Sequence, residues 1–264
     1  MFNFKLSAVG YLNPVPLVWG MLHGPQRSHV DLRFSVPSEC AQQVEEGEAE
    51  LGLVPVAEIA RQSLEIVPGV GIACLGAVRS ILLFAKRPWQ GVQSVAVDCC
   101  SRTSVQLARV ILREKFGVEP ELVPHPPNLE QMMKTADAAL VIGDPALRID
   151  PLALSYECLD LGHEWFALTG LPMVFATWAG KPGLPLEAIS KITVGSYHFG
   201  RERLAEIARL EHDKRGITYE LAHRYLSRHI RYELGPRELL GLTTFLELAD
   251  FRPASLAAMS SCND

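Results

Sequence analysis

The sequence predicts an α/β fold in which two lobes enclose a ligand cleft. Short apolar runs alternate with helical patterns along most of the 264 residues, which favours a largely parallel sheet. A polar break at residues 86–91 divides this alternation into two series, and a further apolar segment follows the second one. We therefore expect the chain to leave the first lobe and later return to it, which creates a cleft where ligands commonly bind.

The first series supplies the first lobe, which we place at residues 1–90. Ser38, next to Pro37, is the predicted N-cap of the helix that follows the second strand. Another helix is expected to start near Pro55. The predicted strands of this series are residues 4–9, 31–36, 51–54, 64–67, 72–75 and 80–85.

The second series supplies a second lobe, residues 91–173, inserted into the first. Its predicted strands are residues 95–97, 121–123 and 138–142, and its predicted helices are residues 104–116 and 129–134. The chain then returns through an apolar strand at residues 172–178. Residues 174–264 complete the first lobe with helices at residues 185–191, 200–214, 218–227 and 236–249.

Composition and motifs exclude several classes of function. The net charge of −5 argues against a nucleic-acid partner, and no apolar run reaches the roughly 20 residues that span a membrane. The first residues lack the pattern of a signal peptide. Six cysteines form no C-x-x-C pair, Cys99 and Cys100 are adjacent, and no metal-binding histidine spacing occurs. We expect a cytoplasmic protein with reduced thiols and neither metal nor cofactor.

The segment Ser101-Arg102-Thr103-Ser104 is the most informative candidate site. It follows a predicted strand and opens a predicted helix, so the backbone N–H groups of the first turn are free to bind an anion. Three hydroxyls and a guanidinium suit a carboxylate, and the glycine-rich loop of a nucleotide site is absent. The alternative is an ordinary helix cap beside a solvated arginine.

Other polar residues follow predicted strands and are expected at the rim of the same cleft. Asn13 precedes a proline, and the alternative for it is a turn residue. Asp144 precedes Pro145, so it could equally be a helix N-cap. The remaining candidates are Ser38, Gly76, Ser80 and Gly143.

Taken together, these segments resemble the chorismate dehydratase family of the futalosine route to menaquinone. The resemblance covers nearly the whole chain and implies a two-lobed fold of the type II periplasmic-binding-protein kind. The sequence departs from the family pattern at Cys99-Cys100 and at Ala77. The motifs that carry it are Tyr11-Leu12-Asn13-Pro14, residues 52–60, Gly76 with Val78-Arg79-Ser80, Ser101-Arg102-Thr103-Ser104, Ile142-Gly143-Asp144 with Ala146-Leu147, and Glu164-Trp165 with Thr169-Gly170-Leu171-Pro172.

The resemblance implies dehydration of chorismate, a dicarboxylate, to 3-enolpyruvylbenzoate and water. The catalytic asparagine of the family maps onto Asn13, which would position the leaving hydroxyl or a proton acceptor such as the substrate's own side-chain carboxylate. One carboxylate of the substrate would bind to Ser101, Arg102, Thr103 and Ser104. The other side would be closed by Ser38, Ser80 and the backbone around Val54 and Gly76, with Gly143 and Asp144 nearby.

Two other functions stay open at this point. A related enzyme of the same pathway, which makes 1,4-dihydroxy-6-naphthoate, uses a histidine base, for which His125 and His163 are the candidates in the second lobe. The fold would also suit a carboxylate-binding or sensory module without catalytic activity. A homodimer is compatible with all three interpretations.

Overall fold

The computed structural model describes residues 3–98 and 101–251, so the adjacent cysteines Cys99 and Cys100 lie outside the described residues. The strands of the described chain form two sheets, with the orders β11-β4-β10-β3-β1-β2 and β7-β6-β8-β5-β9. In chain order these strands are β1 (Phe4–Val9), β2 (Val30–Ser35), β3 (Leu51–Pro55), β4 (Glu65–Cys74), β5 (Ile81–Ala85), β6 (Ser94–Val97), β7 (Glu121–Pro124), β8 (Ala138–Ile142), β9 (Glu157–Asp160), β10 (Met173–Gly180) and β11 (Arg231–Leu234).

Helices connect the strands and cover the sheets. A π-helical turn, Tyr225–His229, follows the tenth helix. No helix of the described residues is both long and apolar enough to cross a bilayer. In chain order the helices are α1 (Val15–His23), α2 (Pro37–Glu46), α3 (Val56–Gln62), α4 (Arg102–Phe116), α5 (Leu129–Thr135), α6 (Gly143–Leu147), α7 (Leu161–Thr169), α8 (Leu186–Arg201), α9 (Leu204–Glu211), α10 (Tyr219–Arg224) and α11 (Pro236–Leu248).

Each sheet combines parallel strands with the antiparallel strand through which the chain enters it. Strand β1 is parallel to β2 and β3, and β6 is parallel to β7 and β8. Strand β5 runs antiparallel to β8, and β10 runs antiparallel to β3. A strand that arrives from the other sheet starts at the edge where the parallel strands end, so it must run in the opposite direction. The expected largely parallel sheet is therefore mixed.

Several predicted elements differ from those observed. Strand β5 pairs with β8 and β9, so the second sheet begins before the polar break at residues 86–91. The lobe boundaries 1–90, 91–173 and 174–264 stay predictions. The strands expected at residues 64–67 and 72–75 are one strand, β4. The sequence patterns do not predict four further elements, which are α1, α7, β9 and β11.

The helix start at Pro37 corrects the role expected for Ser38. Val36 occupies the N-cap position of α2, and no side-chain capping hydrogen bond is made there. Proline is favoured at the first helical position because it has no N–H to leave unpaired. Pro37 therefore takes that position, and Ser38 falls one residue further into the helix.

Helix α8 approaches α1 closely at Gly200. A Cβ atom at Gly200 would lie 2.1 Å from the carbonyl oxygen of Pro16, in the first turn of α1. No side chain other than the hydrogen of glycine fits at that distance. The contact holds α1 in place directly after the loop that contains Asn13.

We expect Gly200→Ala to lower the free energy of unfolding by about 2 kcal/mol, because the added methyl group would force the two helices apart. Denaturant titration with circular dichroism measures this change. Gly91→Ala is the matched control, since a Cβ atom there would contact only the side chain of Arg87, at 3.6 Å. Equal stability of the two variants would contradict the close approach.

Candidate active site

A cleft that is partly open to solvent lies where the facing edges of the two sheets meet. Strands β1, β3 and β8 end at this cleft, whereas β5 and β10 begin there. The carboxyl ends of parallel strands are the usual place for ligands in α/β sheets. Much of the wall is apolar and comes from Val9, Ile72, Val78, Ile81 and Phe175.

The structure brings five of the predicted site residues together in this cleft. They are Asn13, Ser80, Ser101, Ser104 and Gly143. Asn13 lies between β1 and α1, and Ser80 lies directly before β5. The two other serines come from the start of α4, and Gly143 follows β8. These five residues, which lie up to 130 positions apart in the chain, therefore line one cavity.

The start of α4 presents only half of the expected anion-binding segment to the cleft. The hydroxyl of Ser101 donates to the hydroxyl of Ser104, with the two oxygens 2.9 Å apart. Helical residues three apart lie on the same face, whereas the two residues between them point elsewhere. Helical periodicity therefore separates Ser101 and Ser104 from Arg102 and Thr103.

Arg102 and Thr103 connect α4 to α3 and do not line the cleft. The guanidinium of Arg102 pairs with the buried carboxylate of Glu58 at 2.8 Å. The hydroxyl of Thr103 accepts a hydrogen bond from the backbone N–H of Ala57 at 3.2 Å. Arg102 and Ser38 line a separate, highly charged pocket between α2, α3 and α4. The expected contribution of these three side chains to the cleft is therefore not observed.

Asp144 acts as a buried anchor between the two sheets. One carboxylate oxygen accepts from the backbone N–H of Leu12 at 3.0 Å, and the other lies 3.2 Å from Nε of Arg215. Burial raises the pKa of this carboxyl group, while the hydrogen bond from Leu12 and the charge of Arg215 oppose that rise. Asp144 therefore holds the residue next to Asn13 rather than lining the cleft itself.

The connection that carries Ser80 is also held by a carboxylate. Both side-chain oxygens of Asp160 accept backbone N–H groups, from Val78 at 2.9 Å and from Arg79 at 2.6 Å. Arg79 adopts a left-handed backbone conformation with φ 68°, and Gly76 has φ 92°. These two hydrogen bonds stabilise the tight turn that brings Ser80 to the cleft.

Two further candidates from the sequence lie behind the cleft surface. Val54 is fully buried in β3, next to the lining residue Pro55. Gly76 does not line the cleft, but it belongs to the turn before Ser80. Both help to build the site without presenting a side chain to it.

Tyr225 was missed by the sequence analysis. It is buried, and its hydroxyl donates to the hydroxyl oxygen of Ser80 at 2.8 Å. The side chain of Asn13 lies nearby and lowers the pKa of the phenol, against the larger raising effect of burial. Tyr225 is separated from Ser80 by 145 positions, and no motif marks it, so the sequence carried no signal for this contact.

Comparison with known proteins identifies the family. A family model described as menaquinone biosynthesis matches residues 4–250. Chorismate dehydratase of Thermus thermophilus is 32% identical over 265 residues, which cover 94% of this chain and 95% of the relative. The chain belongs to the chorismate dehydratase family of menaquinone biosynthesis. The resemblance drawn from the sequence motifs is thereby confirmed.

Solved structures show the same fold in proteins of low sequence identity. A protein from Archaeoglobus fulgidus has a TM-score of 0.76 at 18% identity, with 94% of this chain and 97% of the other covered. The periplasmic aliphatic sulphonate binding protein from Escherichia coli has a TM-score of 0.64 at 14% identity, with 95% and 86% covered. The predicted periplasmic-binding-protein-like fold is confirmed.

We expect Asp144→Ala to lower the free energy of unfolding by about 2 kcal/mol, because it leaves the N–H of Leu12 without a partner and removes one of the two carboxylates beside the guanidinium of Arg215. Denaturant titration would measure the loss. Glu130→Ala is the control, since its ion pair with Lys134 is largely exposed and should contribute less than about 0.5 kcal/mol. A loss at position 144 no larger than the control would contradict the anchoring role.

Proposed function

We propose that the cleft binds chorismate and dehydrates it to 3-enolpyruvylbenzoate and water. The observation that carries this proposal is the meeting of Asn13, Ser80 and the first turn of α4 in one cavity. Family membership supports the choice of substrate, because the relative from Thermus thermophilus is named chorismate dehydratase. The substrate is then a small dicarboxylate, and the reaction needs no cofactor.

The reaction needs precise orientation more than a strong base. The proton on the ring carbon that bears the ether oxygen goes to an acceptor, and the bond to the neighbouring hydroxyl breaks with release of water. The ring becomes aromatic, so the substrate itself supplies the driving force. The protein then contributes mainly by holding the reacting groups in place.

The cleft itself offers no side chain that is an obvious base. Among the described residues that line it, none is Asp, Glu, His, Lys or Arg. The amide of Asn13 is far too weak a base to take the proton alone. We therefore assign the role of acceptor to the side-chain carboxylate of the substrate, with Asn13 orienting this carboxylate or the leaving hydroxyl.

The start of α4 is suited to hold a carboxylate. Its first backbone N–H groups have no partner within the helix, and the positive end of the helix dipole favours an anion. The hydroxyls of Ser101 and Ser104 stand beside these groups at the cleft surface. This set replaces the four-residue clamp expected from the sequence, because Arg102 and Thr103 face α3.

Histidine chemistry, as in the 1,4-dihydroxy-6-naphthoate alternative, finds little support in the geometry. His125 is half-buried, and its Nδ1 lies 2.8 Å from the carbonyl oxygen of Pro126. His163 is exposed in the first turn of α7. Neither residue lines the cleft. A module that binds carboxylates without turnover is distinguished from the enzyme by the assay below.

A cytoplasmic location is part of the same proposal. Cys40, Cys74 and Cys158 are free thiols, as is usual in a reducing compartment. The biosynthetic activity named for the relative supports this location. We propose neither a nucleic-acid nor a membrane partner, and the homodimer stays a possibility that sedimentation can test.

We expect the purified chain to convert chorismate into an aromatic product that is lighter by one water, and we expect Asn13→Ala to lower this turnover by about 100-fold. Chromatography with mass detection measures the product. Asn128→Ala is the matched control, because Asn128 caps α5 on the protein surface. Thermal stabilisation by chorismate without turnover would instead favour the binding module.

We expect Ser104→Ala to raise KM for chorismate by about tenfold, because it removes one hydrogen bond to a charged group. Arg102→Ala serves as the neighbouring control and should leave KM within about threefold of the unaltered chain. Steady-state kinetics measure both values. A large rise in KM for Arg102→Ala, with KM unchanged for Ser104→Ala, would indicate that the guanidinium binds the carboxylate. That result would contradict the assignment of the carboxylate to Ser101 and Ser104.

A further inference from the structure

Tyr225 lies beneath the cleft and joins two of the polar residues that line it. Its residue surface is 1% exposed, so the substrate does not reach it. Its hydroxyl donates to Ser80 at 2.8 Å, and the side chain of Asn13 lies near enough to influence the pKa of the phenol. Any effect of Tyr225 on the reaction must therefore pass through Asn13 and Ser80.

The single proton of the phenol allows one consistent order of donors. When that proton goes to Ser80, 2.8 Å away, the phenol oxygen can only accept from Asn13. In this order Asn13 donates an amide N–H, which agrees with its lowering effect on the phenol pKa. The amide oxygen of Asn13 and the hydroxyl proton of Ser80 are left for the cleft.

The surroundings of Tyr225 keep this arrangement fixed. Burial is the main cause that raises the pKa of its phenol, and the negative charge of Asp144 adds to the rise, so the proton stays on the oxygen. Tyr225 also starts the π-helical turn Tyr225–His229, and turns of this kind are common at functional sites. A buried phenol thus lies beside two cleft residues that come from distant segments of the chain.

We propose that Tyr225 is a positioning residue for the dehydration, which turns the amide oxygen of Asn13 and the hydroxyl proton of Ser80 toward the substrate. The inference rests on the proposed function and adds a residue that does not itself touch the substrate. Without the phenol proton, Ser80 could donate to Asn13 instead, and the Asn13 amide could rotate. The substrate would still fit, but the two groups would no longer be held in the reactive orientation.

Tyr225→Phe removes only the hydroxyl and tests this role. We expect kcat to fall by about tenfold, while KM changes by less than about threefold. The matched control is Tyr232→Phe, because Tyr232 is also buried and its hydroxyl has no hydrogen-bond partner within residues 3–98 and 101–251. Its kinetics should equal those of the unaltered chain. An unchanged kcat in Tyr225→Phe would overturn the proposal.

A double-mutant cycle separates positioning from a general loss of stability. If Tyr225 acts through Ser80, adding Tyr225→Phe to Ser80→Ala should lower kcat by less than about threefold further. A merely structural role would make the two effects multiply, because each would act independently on the folded chain. If the two substitutions together lowered kcat by the product of their separate effects, the result would contradict the proposal.

A measurement on the unaltered chain covers the case in which Tyr225→Phe does not fold. The chain has four asparagines, so ¹⁵N labelling of asparagine gives a simple spectrum, and Asn13→Ala assigns the signal of interest. We expect a nuclear Overhauser contact between the side-chain amide protons of Asn13 and the ring of Tyr225. Its absence would overturn the proposed orientation.

The two proposals fail in different ways. If the unaltered chain did not turn over chorismate, the proposed function would be wrong, and the role of Tyr225 in dehydration would be lost with it. The Overhauser contact would still decide whether Tyr225 orients the two cleft residues. If turnover occurred and the contact or the kinetic effect were missing, only the role of Tyr225 would be wrong.

Discussion

The buried carboxylate of Asp144 connects the two sheets at the point where the cleft forms. It accepts the backbone N–H of Leu12 from the first sheet and pairs with Arg215 from the C-terminal helices. An unpaired carboxylate at such a depth would be costly, so these partners must stay in place together. The position of Asn13, next to Leu12, depends on this contact. The same carboxylate influences Tyr225, whose phenol it helps to keep protonated.

The polar side chains on the described surface of the cleft are all neutral. Charged residues stand one layer behind it: Asp144 holds the first loop, Asp160 holds the turn before Ser80, and Glu58 pairs with Arg102 behind α4. This arrangement leaves neutral hydrogen-bonding groups and helix N–H groups to face the substrate. Such groups orient a dianion without taking its protons, which suits a reaction whose driving force is the aromatic product.

Much of the fold could be predicted because strand periodicity and turn residues are local. The order of most strands and helices, the position of Asn13 after β1 and the helix start after Ser101 follow from local patterns, whereas α1, α7, β9 and β11 were not predicted. The site residues were harder to predict than the fold, because the direction of a side chain depends on its position around the helix. Helix phase alone could have separated Ser104 from Arg102, since it places residues three apart on one face. Tyr225 could not be found, because its contact with Ser80 spans 145 positions and rests on packing that no motif records.

The substrate is proposed to lie between Asn13 and the two serines at the start of α4, Ser101 and Ser104. A crystal structure of the complex with 3-enolpyruvylbenzoate would test it most directly. We predict one carboxylate within about 3 Å of the hydroxyls of Ser101 and Ser104, and the ring between Asn13 and Ser80. A product bound at Arg102, in the charged pocket between α2 and α3, would contradict the account.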